Sequence, residues 1–202
     1  MIGDGWMTTG YADFAPALSS NKPFPAERKH TGQLPRDLLC GVMPPAIRSA
    51  TAADLAVILA LIRALADYER MSGDVVATEE LLGRSLFPPD GAAPAAYCVI
   101  AEADGTAVGF ALYFFNYSTF LAQPGLYLED LFVRPEFRGR GFGKALLLHL
   151  AKLANARGCG RMEWTVLDWN QPAIEFYESL GAKRMKEWQI CRLTGETLTR
   201  YA

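Results

Sequence analysis

Residues 126–146 constrain the fold more than any other stretch of the chain. An apolar, strand-like run over 126–133 is ended by Arg134 and Pro135, and a basic, glycine-rich turn follows. An apolar helical run begins directly afterwards, at Ala145. Glycines let backbone N–H groups approach a ligand closely, and the dipole of a helix favours negative charge at its N-terminus. This order of strand, tight turn and helix therefore predicts an anion site.

The composition of the turn indicates which anion would bind there. Its two arginines, three glycines and one phenylalanine are Arg138, Gly139, Arg140, Gly141, Phe142 and Gly143, and Lys144 follows them. Guanidinium groups match phosphate oxygens in geometry and charge, so we interpret the turn as a cradle for a pyrophosphate. Its glycine spacing differs from the P-loop and from the dinucleotide fingerprint. On spacing alone, a sharp strand-to-helix connection with surface arginines remains an alternative.

Hydrophobic patterning elsewhere predicts an α/β fold. Apolar residues recur at helical spacing in four segments, and strand-like runs occur in seven. Their order predicts a mixed sheet with helices on both faces. Thr51 to Asp54 has the pattern of a capping box at the start of the first helix. The strand-like runs lie at about 46–50, 97–103, 106–117, 126–133, 162–167, 182–192 and 196–201, and the helical segments at about 55–69, 79–87, 142–157 and 171–180.

Three local stretches together resemble a known family. Arg138 to Gly143 matches the Q/R-x-x-G-x-G/A signature of the GNAT superfamily of N-acetyltransferases. The stretches YLEDLFV and WNQPAIEFYESLGA resemble its diamine (spermidine/spermine) branch, which includes thialysine acetyltransferase-like members. The resemblance extends over about residues 46–200. It implies the GNAT fold of about seven mostly antiparallel strands and four helices, acetyl-CoA as cosubstrate, and a homodimer.

Composition excludes several other classes of protein. The formal net charge of −2 gives no general attraction to nucleic acid or to an anionic membrane, and no apolar run approaches the ~18 residues of a membrane span. The four cysteines and two histidines are scattered without metal-ligand spacing, so we expect no metal. We interpret the thiols as reduced, which predicts a cytoplasmic protein.

Residues 1–45 differ from the rest of the chain in composition. Gly, Pro, Ser and Thr are frequent there and apolar periodicity is poor, which predicts a flexible N-terminal extension. Residues 46–202 are then the acetyltransferase domain. Met43 lies just before the part that resembles the family, so a start of translation at Met43 and a genuine flexible tail remain two alternatives.

Transfer of an acetyl group to an amine requires a base, because a free alkyl ammonium has a pKa of about 10.4. A carboxylate beside a water-lined cleft attracts the cation and accepts its proton through water. Glu129 and Asp130 are adjacent in a strand, so they should point to opposite faces unless a bulge reorients the chain. The resemblance implies that Glu129 is the base. Asp130 is either part of the acceptor site or a solvated edge residue.

The resemblance also assigns residues to the acid and to the cosubstrate. It implies that Tyr177 donates a proton to the leaving thiolate, although its helical spacing alone would suit an ordinary core tyrosine. It implies that the backbone at Leu131, Phe132 and Val133 pairs with the pantetheine arm, as an added strand would. Asn170 is a helix cap, a cosubstrate ligand or both, and Ala173 is assigned to the cosubstrate.

Four further residues are candidates for the acceptor site. Tyr68 and Glu69, at the end of the first helix, match positions that line the amine site in the diamine branch. Asp168 and Trp169 offer a carboxylate and an aromatic face to a cation. The alternatives are a frayed helix end for the first pair and a turn with partial core packing for the second.

These observations favour an acetyl-CoA-dependent N-acetyltransferase that acts directly on a small cationic amine. A polyamine, a diamine or a lysine analogue is the expected acceptor, and no cysteine is placed to form an acyl-enzyme. An enzyme that acetylates a protein or antibiotic amine is one alternative. A non-catalytic acetyl-CoA-binding regulatory module is another, and the presence of Glu129 and Tyr177 argues against it.

Overall fold

A five-stranded mixed sheet forms the centre of the molecule in the computed structural model, which describes residues 45–89 and 91–202. The strands lie in chain order across the sheet. The first four pair antiparallel, and the last pairs parallel to its neighbour. The strands are β1 (Ala46–Ser49), β2 (Tyr97–Ala103), β3 (Thr106–Ser118), β4 (Gln123–Val133) and β5 (Arg161–Trp164).

Helices cover both faces of this sheet, because each face is apolar. One face packs against α1 (Leu55–Glu69) and α2 (Glu79–Leu86), through a buried cluster that includes Ile58, Ile100 and Phe110. The other face packs against α3 (Phe142–Ala156) and α4 (Gln171–Ser179). Its buried cluster includes Val99, Ala111, Leu126, Leu146 and Leu150. The predicted fold class, a mixed sheet between two helical layers, is confirmed.

The N-terminus of α1 is fixed by the predicted capping box. The Asp54 carboxylate accepts hydrogen bonds from the Thr51 backbone N–H at 2.8 Å and from the two terminal nitrogens of Arg48 at 2.7 and 2.8 Å. The Arg48 guanidinium holds the pKa of Asp54 well below its usual range. Arg48 also bonds Glu102 on β2 at 2.8 Å, so this network ties the start of α1 to the sheet.

The prediction of two C-terminal strands is wrong. Residues 182–192 form no strand, and within 196–201 the chain instead forms α5 (Gly195–Thr199). A strand needs a neighbouring strand to satisfy its backbone groups, and in the described part of the chain this segment pairs with none. Its large apolar residues are instead exposed: Met185, Trp188, Ile190, Leu193, Leu198 and Tyr201 are all more than half exposed.

Two other expectations concern the N-terminal extension and membrane-spanning helices. The predicted N-terminal extension and the alternative start at Met43 lie, apart from residue 45, outside the described residues. In the part of the chain that is described, no helix is both long and apolar enough to cross a membrane.

Candidate active site

A cleft of about 910 Å³ lies where β4 and β5 separate. The parallel pairing of these strands stops at Leu128 and Trp164, although β4 continues to Val133. Beyond that point Leu131, Phe132 and Val133 line one wall and residues 165–167 line the opposite wall. This side of β4 therefore presents backbone groups that β5 does not pair, which suits an extended, amide-bearing ligand.

A β-bulge at Glu129 changes the direction of the acidic pair. Leu112 on β3 is opposite Asp130 and Tyr113 is opposite Leu128, so Glu129 is the extra residue. Leu128 packs under α3, whereas Phe132 packs under α1, which shows that the bulge inverts the alternation. The bulge is the exception that the sequence left open for Glu129 and Asp130, and alternation now places both on the α1 side instead of on opposite faces.

Three carboxylates consequently line the same cleft. Glu69, the last residue of α1, joins Glu129 and Asp130 there. Burial, together with the charges of Glu129 and Glu69, raises the pKa of Asp130 to about 6. Burial also raises the pKa of Glu69. A group of acids whose negative charge is unfavourable in the absence of a counterion is a natural partner for a bound cation.

This electrostatic arrangement predicts a pH-dependent stability change in the variant Asp130→Asn. An unfolded aspartate has a pKa of about 3.9, so folding raises the pKa of Asp130 and the folded state binds this proton more tightly. The wild type then loses stability as pH rises from 4 through 6. We expect the variant to exceed the wild-type free energy of unfolding by about 2 kcal/mol at pH 8 and to match it at pH 4.

Urea denaturation at both pH values measures this difference. Asp74→Asn, which alters an exposed aspartate away from the cleft, serves as the control and should show no difference at either pH. Equal stability of Asp130→Asn and the wild type at pH 8 would show that neighbouring groups already offset the free-energy cost of burying the Asp130 carboxylate.

The glycine-rich turn forms the opposite end of the cleft. Gly139 and Gly141 have φ values of +72° and +86°, which L side chains rarely adopt, and Gly141 is the N-cap of α3. A Cβ atom at either position would meet nothing within 4 Å, so the backbone is open towards the cleft. Gly139, Gly141, Gly143 and Lys144 all line it. The first N–H groups of α3, which have no partner within the helix, thus lie at the cleft, where the helix dipole favours an anion.

The two arginines of the turn have different surroundings. The Nε of Arg138 donates to the Val133 carbonyl at 3.0 Å, and its guanidinium lies 4.4 Å from the centre of the Tyr68 ring. The guanidinium of Arg140 lies over Phe137 at 5.1 Å and over Phe142 at 5.6 Å. Arg138 lines the cleft, whereas Arg140 does not.

Tyr177 on α4 reaches the cleft beside the end of β5. Its ring packs against Trp164 and Phe176 at centroid distances of 5.1 and 5.2 Å. Burial, and to a smaller extent the charge of Glu69, raise the pKa of Tyr177 to about 12. The phenol is therefore fully protonated at neutral pH and can act as a proton donor.

Asn170 has one of the two roles considered for it, that of a helix cap. It is buried, and it is the N-cap of α4, where its Oδ1 accepts from the Ala173 backbone N–H at 3.4 Å. The same oxygen accepts from the Tyr68 hydroxyl at 3.2 Å. Asn170 also lines the cleft, so a contact with a ligand is sterically open to it.

Of the predicted site residues, all line the cleft except Arg140, Asp168 and Trp169. Asp168 is exposed, and Trp169 lies behind Tyr68, with ring centroids 6.1 Å apart. The cleft also contains residues that the sequence did not single out. Pro172 and Phe176 belong to the recognised WNQPAIEFYESLGA stretch, whereas the C-terminal segment carried no such signal: its contributions are Ile190 and Arg192.

Neither a metal cluster nor a nucleophilic thiol is found in this cleft within the described ranges. No group of three or more His, Cys, Asp or Glu side chains there could hold a metal ion. The three cysteines at 98, 159 and 191 are free, and none lines the cleft. Burial raises the pKa of the Cys98 thiol to about 12, which makes it a poor nucleophile.

The chain is similar to known acetyltransferases over most of its length. The model of the acetyltransferase (GNAT) family matches residues 60–182. A thialysine N-epsilon-acetyltransferase from Bos taurus is 39% identical over 167 residues, which cover 77% of this chain and 96% of that protein.

Two further proteins are similar to this chain, one in sequence and one in structure. An L-ornithine N5-acetyltransferase from Arabidopsis thaliana is 54% identical over 95 residues, but the match covers 47% of this chain and only 42% of that protein. Among solved structures, an integron cassette protein from the mobile metagenome of V. cholerae superposes with a TM-score of 0.64 at 26% identity, covering 79% of this chain and 98% of that one.

Proposed function

The chain belongs to the acetyltransferase (GNAT) family, and from this membership we propose that it transfers the acetyl group of acetyl-CoA directly to the primary amine of a small cationic acceptor. The observation that carries the proposal is the arrangement of the cleft. One end has an open helix N-terminus with glycines at positive φ, and the other has three carboxylates. An anionic nucleotide and a cationic amine would each find a complementary end.

The fit to acetyl-CoA rests on groups that the structure leaves open. The N–H groups of Gly139 to Lys144 and the guanidinium of Arg138 would hold the pyrophosphate. The backbone of Leu131 to Val133, which β5 leaves unpaired and in which the Val133 carbonyl accepts from Arg138, would bind the pantetheine arm. Asn170 and Ala173 would lie on the opposite wall. When bound, acetyl-CoA supplies an acetyl group that is activated as a thioester.

The acidic end of the cleft would bind the amine and remove its proton. Asp130 and Glu69 are partly buried and attract the ammonium group. Glu129 lies on the bulge, is exposed, and lines the same cleft, so water can connect its carboxylate with the amine. We assign Glu129 as the base, in agreement with the resemblance, and Asp130 as an acceptor-binding residue.

Tyr177 would supply the proton at the sulfur side of the reaction. Its hydroxyl lies at the cleft and is protonated at neutral pH, and its ring is held between Trp164 and Phe176. The position of the thiols supports direct transfer, since the cysteines of the described part lie off the cleft wall. Among the described residues, the proposed base and acid line the cleft and no cysteine is available there for an acyl-enzyme.

The proposed acceptors are polyamines, diamines and lysine analogues. Three carboxylates in one cleft favour an acceptor with more than one positive charge or with a long cationic arm. The names of the two relatives, which refer to thialysine and to L-ornithine, support a small amine that carries its reactive nitrogen at the end of an alkyl chain.

Assembly and location are parts of the same proposal. Five large apolar side chains of the C-terminal segment that do not line the cleft are exposed, which supports the predicted homodimer, because such a surface is normally covered by a partner: Met185, Trp188, Leu193, Leu198 and Tyr201. The free thiols support the predicted cytoplasmic location.

Thiol release from acetyl-CoA, measured over a panel of amines, tests the proposed function. We expect higher kcat/KM for thialysine, L-ornithine, spermidine and putrescine than for aminoglycosides or a lysine-containing peptide. A preference for the peptide or the aminoglycosides would indicate one of the other acceptor classes. Binding of CoA in calorimetry without turnover on any amine would indicate a regulatory module.

A further inference from the structure

Tyr68 contacts two separate parts of the cleft at once. It lies on the last turn of α1, directly before Glu69, and its ring stacks on the guanidinium of Arg138 at 4.4 Å. Its hydroxyl donates a hydrogen bond to Asn170 Oδ1 at 3.2 Å. The sequence separation between Tyr68 and these partners is large, so the contacts hold α1 against both the glycine-rich turn and the start of α4.

The contact with Arg138 fixes the orientation of that side chain. Its Nε donates to the Val133 carbonyl at 3.0 Å, and its guanidinium also lies 5.6 Å from the Phe132 ring. Tyr68 therefore completes an aromatic enclosure around a planar cation. With Nε already bonded, the terminal nitrogens of Arg138 are presented to the cleft in a defined direction, at a reduced loss of side-chain freedom on binding an anion.

The contact with Asn170 reaches the helix that carries the acid. Asn170 Oδ1 accepts both from Tyr68 and from the backbone N–H of Ala173, so the hydroxyl contributes to the cap of α4. Tyr177 lies about two turns further along the same helix. Any rotation of Asn170 that broke the cap would release the first turn of α4 and with it the placement of the Tyr177 hydroxyl.

We propose that Tyr68 is a positioning residue that couples the coenzyme cradle to the helix bearing Tyr177, through its ring on one side and its hydroxyl on the other. The inference rests on the proposed function, since it assigns Arg138 to the coenzyme and Tyr177 to acid catalysis.

Two substitutions separate the two contacts. Tyr68→Phe keeps the ring over Arg138 and removes the hydroxyl, so we expect kcat to fall about 3- to 10-fold with the Kd for CoA within about twofold of wild type. Tyr68→Leu removes both contacts, so we expect in addition an increase in that Kd of about 3- to 30-fold. Isothermal calorimetry with CoA and steady-state kinetics with the best amine of the panel give both values.

Hydrogen exchange of the backbone amides of α4 provides a readout that a purely structural role would not change. CoA should slow exchange over Gln171–Ser179 in the wild type and in the control Tyr117→Phe, whose exposed tyrosine lies off the cleft. In Tyr68→Leu, CoA at saturating concentration should slow this exchange much less. Adding Arg138→Met to Tyr68→Leu should not weaken CoA binding further than Arg138→Met alone.

The outcomes distinguish this inference from the function on which it rests. A wild type that fails to bind CoA would overturn both. A wild type that binds CoA and acetylates an amine, while both Tyr68 variants keep its kcat, its Kd and its exchange pattern, would overturn the coupling alone. A loss of melting temperature in Tyr68→Leu with unchanged kcat and Kd would reduce Tyr68 to a packing residue and would also overturn it.

Discussion

Replacement of Tyr177 by phenylalanine is expected to lower kcat by about 100-fold, since general acid catalysis typically contributes factors of 10² to 10⁴. The substitution removes one oxygen atom and leaves the ring in place against Trp164 and Phe176. The Kd for CoA should therefore stay within about twofold of wild type. Single-turnover kinetics with acetyl-CoA and the preferred amine, together with calorimetry on CoA, measure the two quantities.

The matched control for this variant is Tyr127→Phe. Tyr127 is also a partly buried tyrosine whose ring packs on an aromatic neighbour, Phe114 at 5.0 Å, but it does not line the cleft. It should retain full turnover. A Tyr177→Phe enzyme with wild-type kcat would remove the acid role and leave Tyr177 as a wall of the cleft.

The second large effect is expected for Gly141→Asp. The new carboxylate would lie at the N-cap of α3 in the open space beside the backbone, where it would compete for the helix N–H groups and repel a diphosphate. Two like charges about 5 Å apart repel by roughly 3 kcal/mol at an effective dielectric constant near 20. The Kd for CoA should consequently rise by about 100-fold.

Two controls isolate the charge at this position. Gly141→Asn has nearly the same shape without the charge, so its loss of affinity should be much smaller. Gly158→Asp places the same residue at another glycine of positive φ, +68°, that also faces open space but lies beyond the C-terminal end of α3. It should bind CoA as the wild type does. Equal affinities for Gly141→Asp and Gly141→Asn would show that no anion binds at this helix terminus.

Local patterns were sufficient to predict most of the sheet and its helices. The strand-like runs at 97–103 and 106–117 match β2 and β3 almost to the residue. Only Asp104 and Gly105 separate them, and a tight hairpin of this kind fixes its own register. The breaker at Arg134 and Pro135 likewise ended β4 where expected. The prediction of the two C-terminal strands was wrong for the opposite reason, because the pairing of that segment is not a local property. The apolar residues at 182–192 require a partner surface, and the sequence does not identify one.

The candidate site was predictable in its residue types more than in its geometry. Glycines before an apolar helix predicted the open turn at Gly139 and Gly141, because their positive φ angles are a local property. The shared direction of Glu129 and Asp130 depends on a bulge, which arises from how β3 and β4 pair and leaves no mark in the alternation of β4 itself. The pairing of Tyr68 with Asn170 joins distant segments and was equally hidden.

Because the pairing between β4 and β5 ends early, thermal stability and activity place opposite requirements on this part of the sheet. Backbone groups of β4 that β5 leaves unpaired are a weakness in the unliganded sheet, and a bound pantetheine would repair it. Selection for heat resistance alone would favour substitutions that extend the pairing of the two strands as far as Val133. Such variants would melt at a higher temperature but would exclude the proposed coenzyme. A screen for thermal stability should therefore be run with CoA present, so that variants unable to bind it gain no advantage.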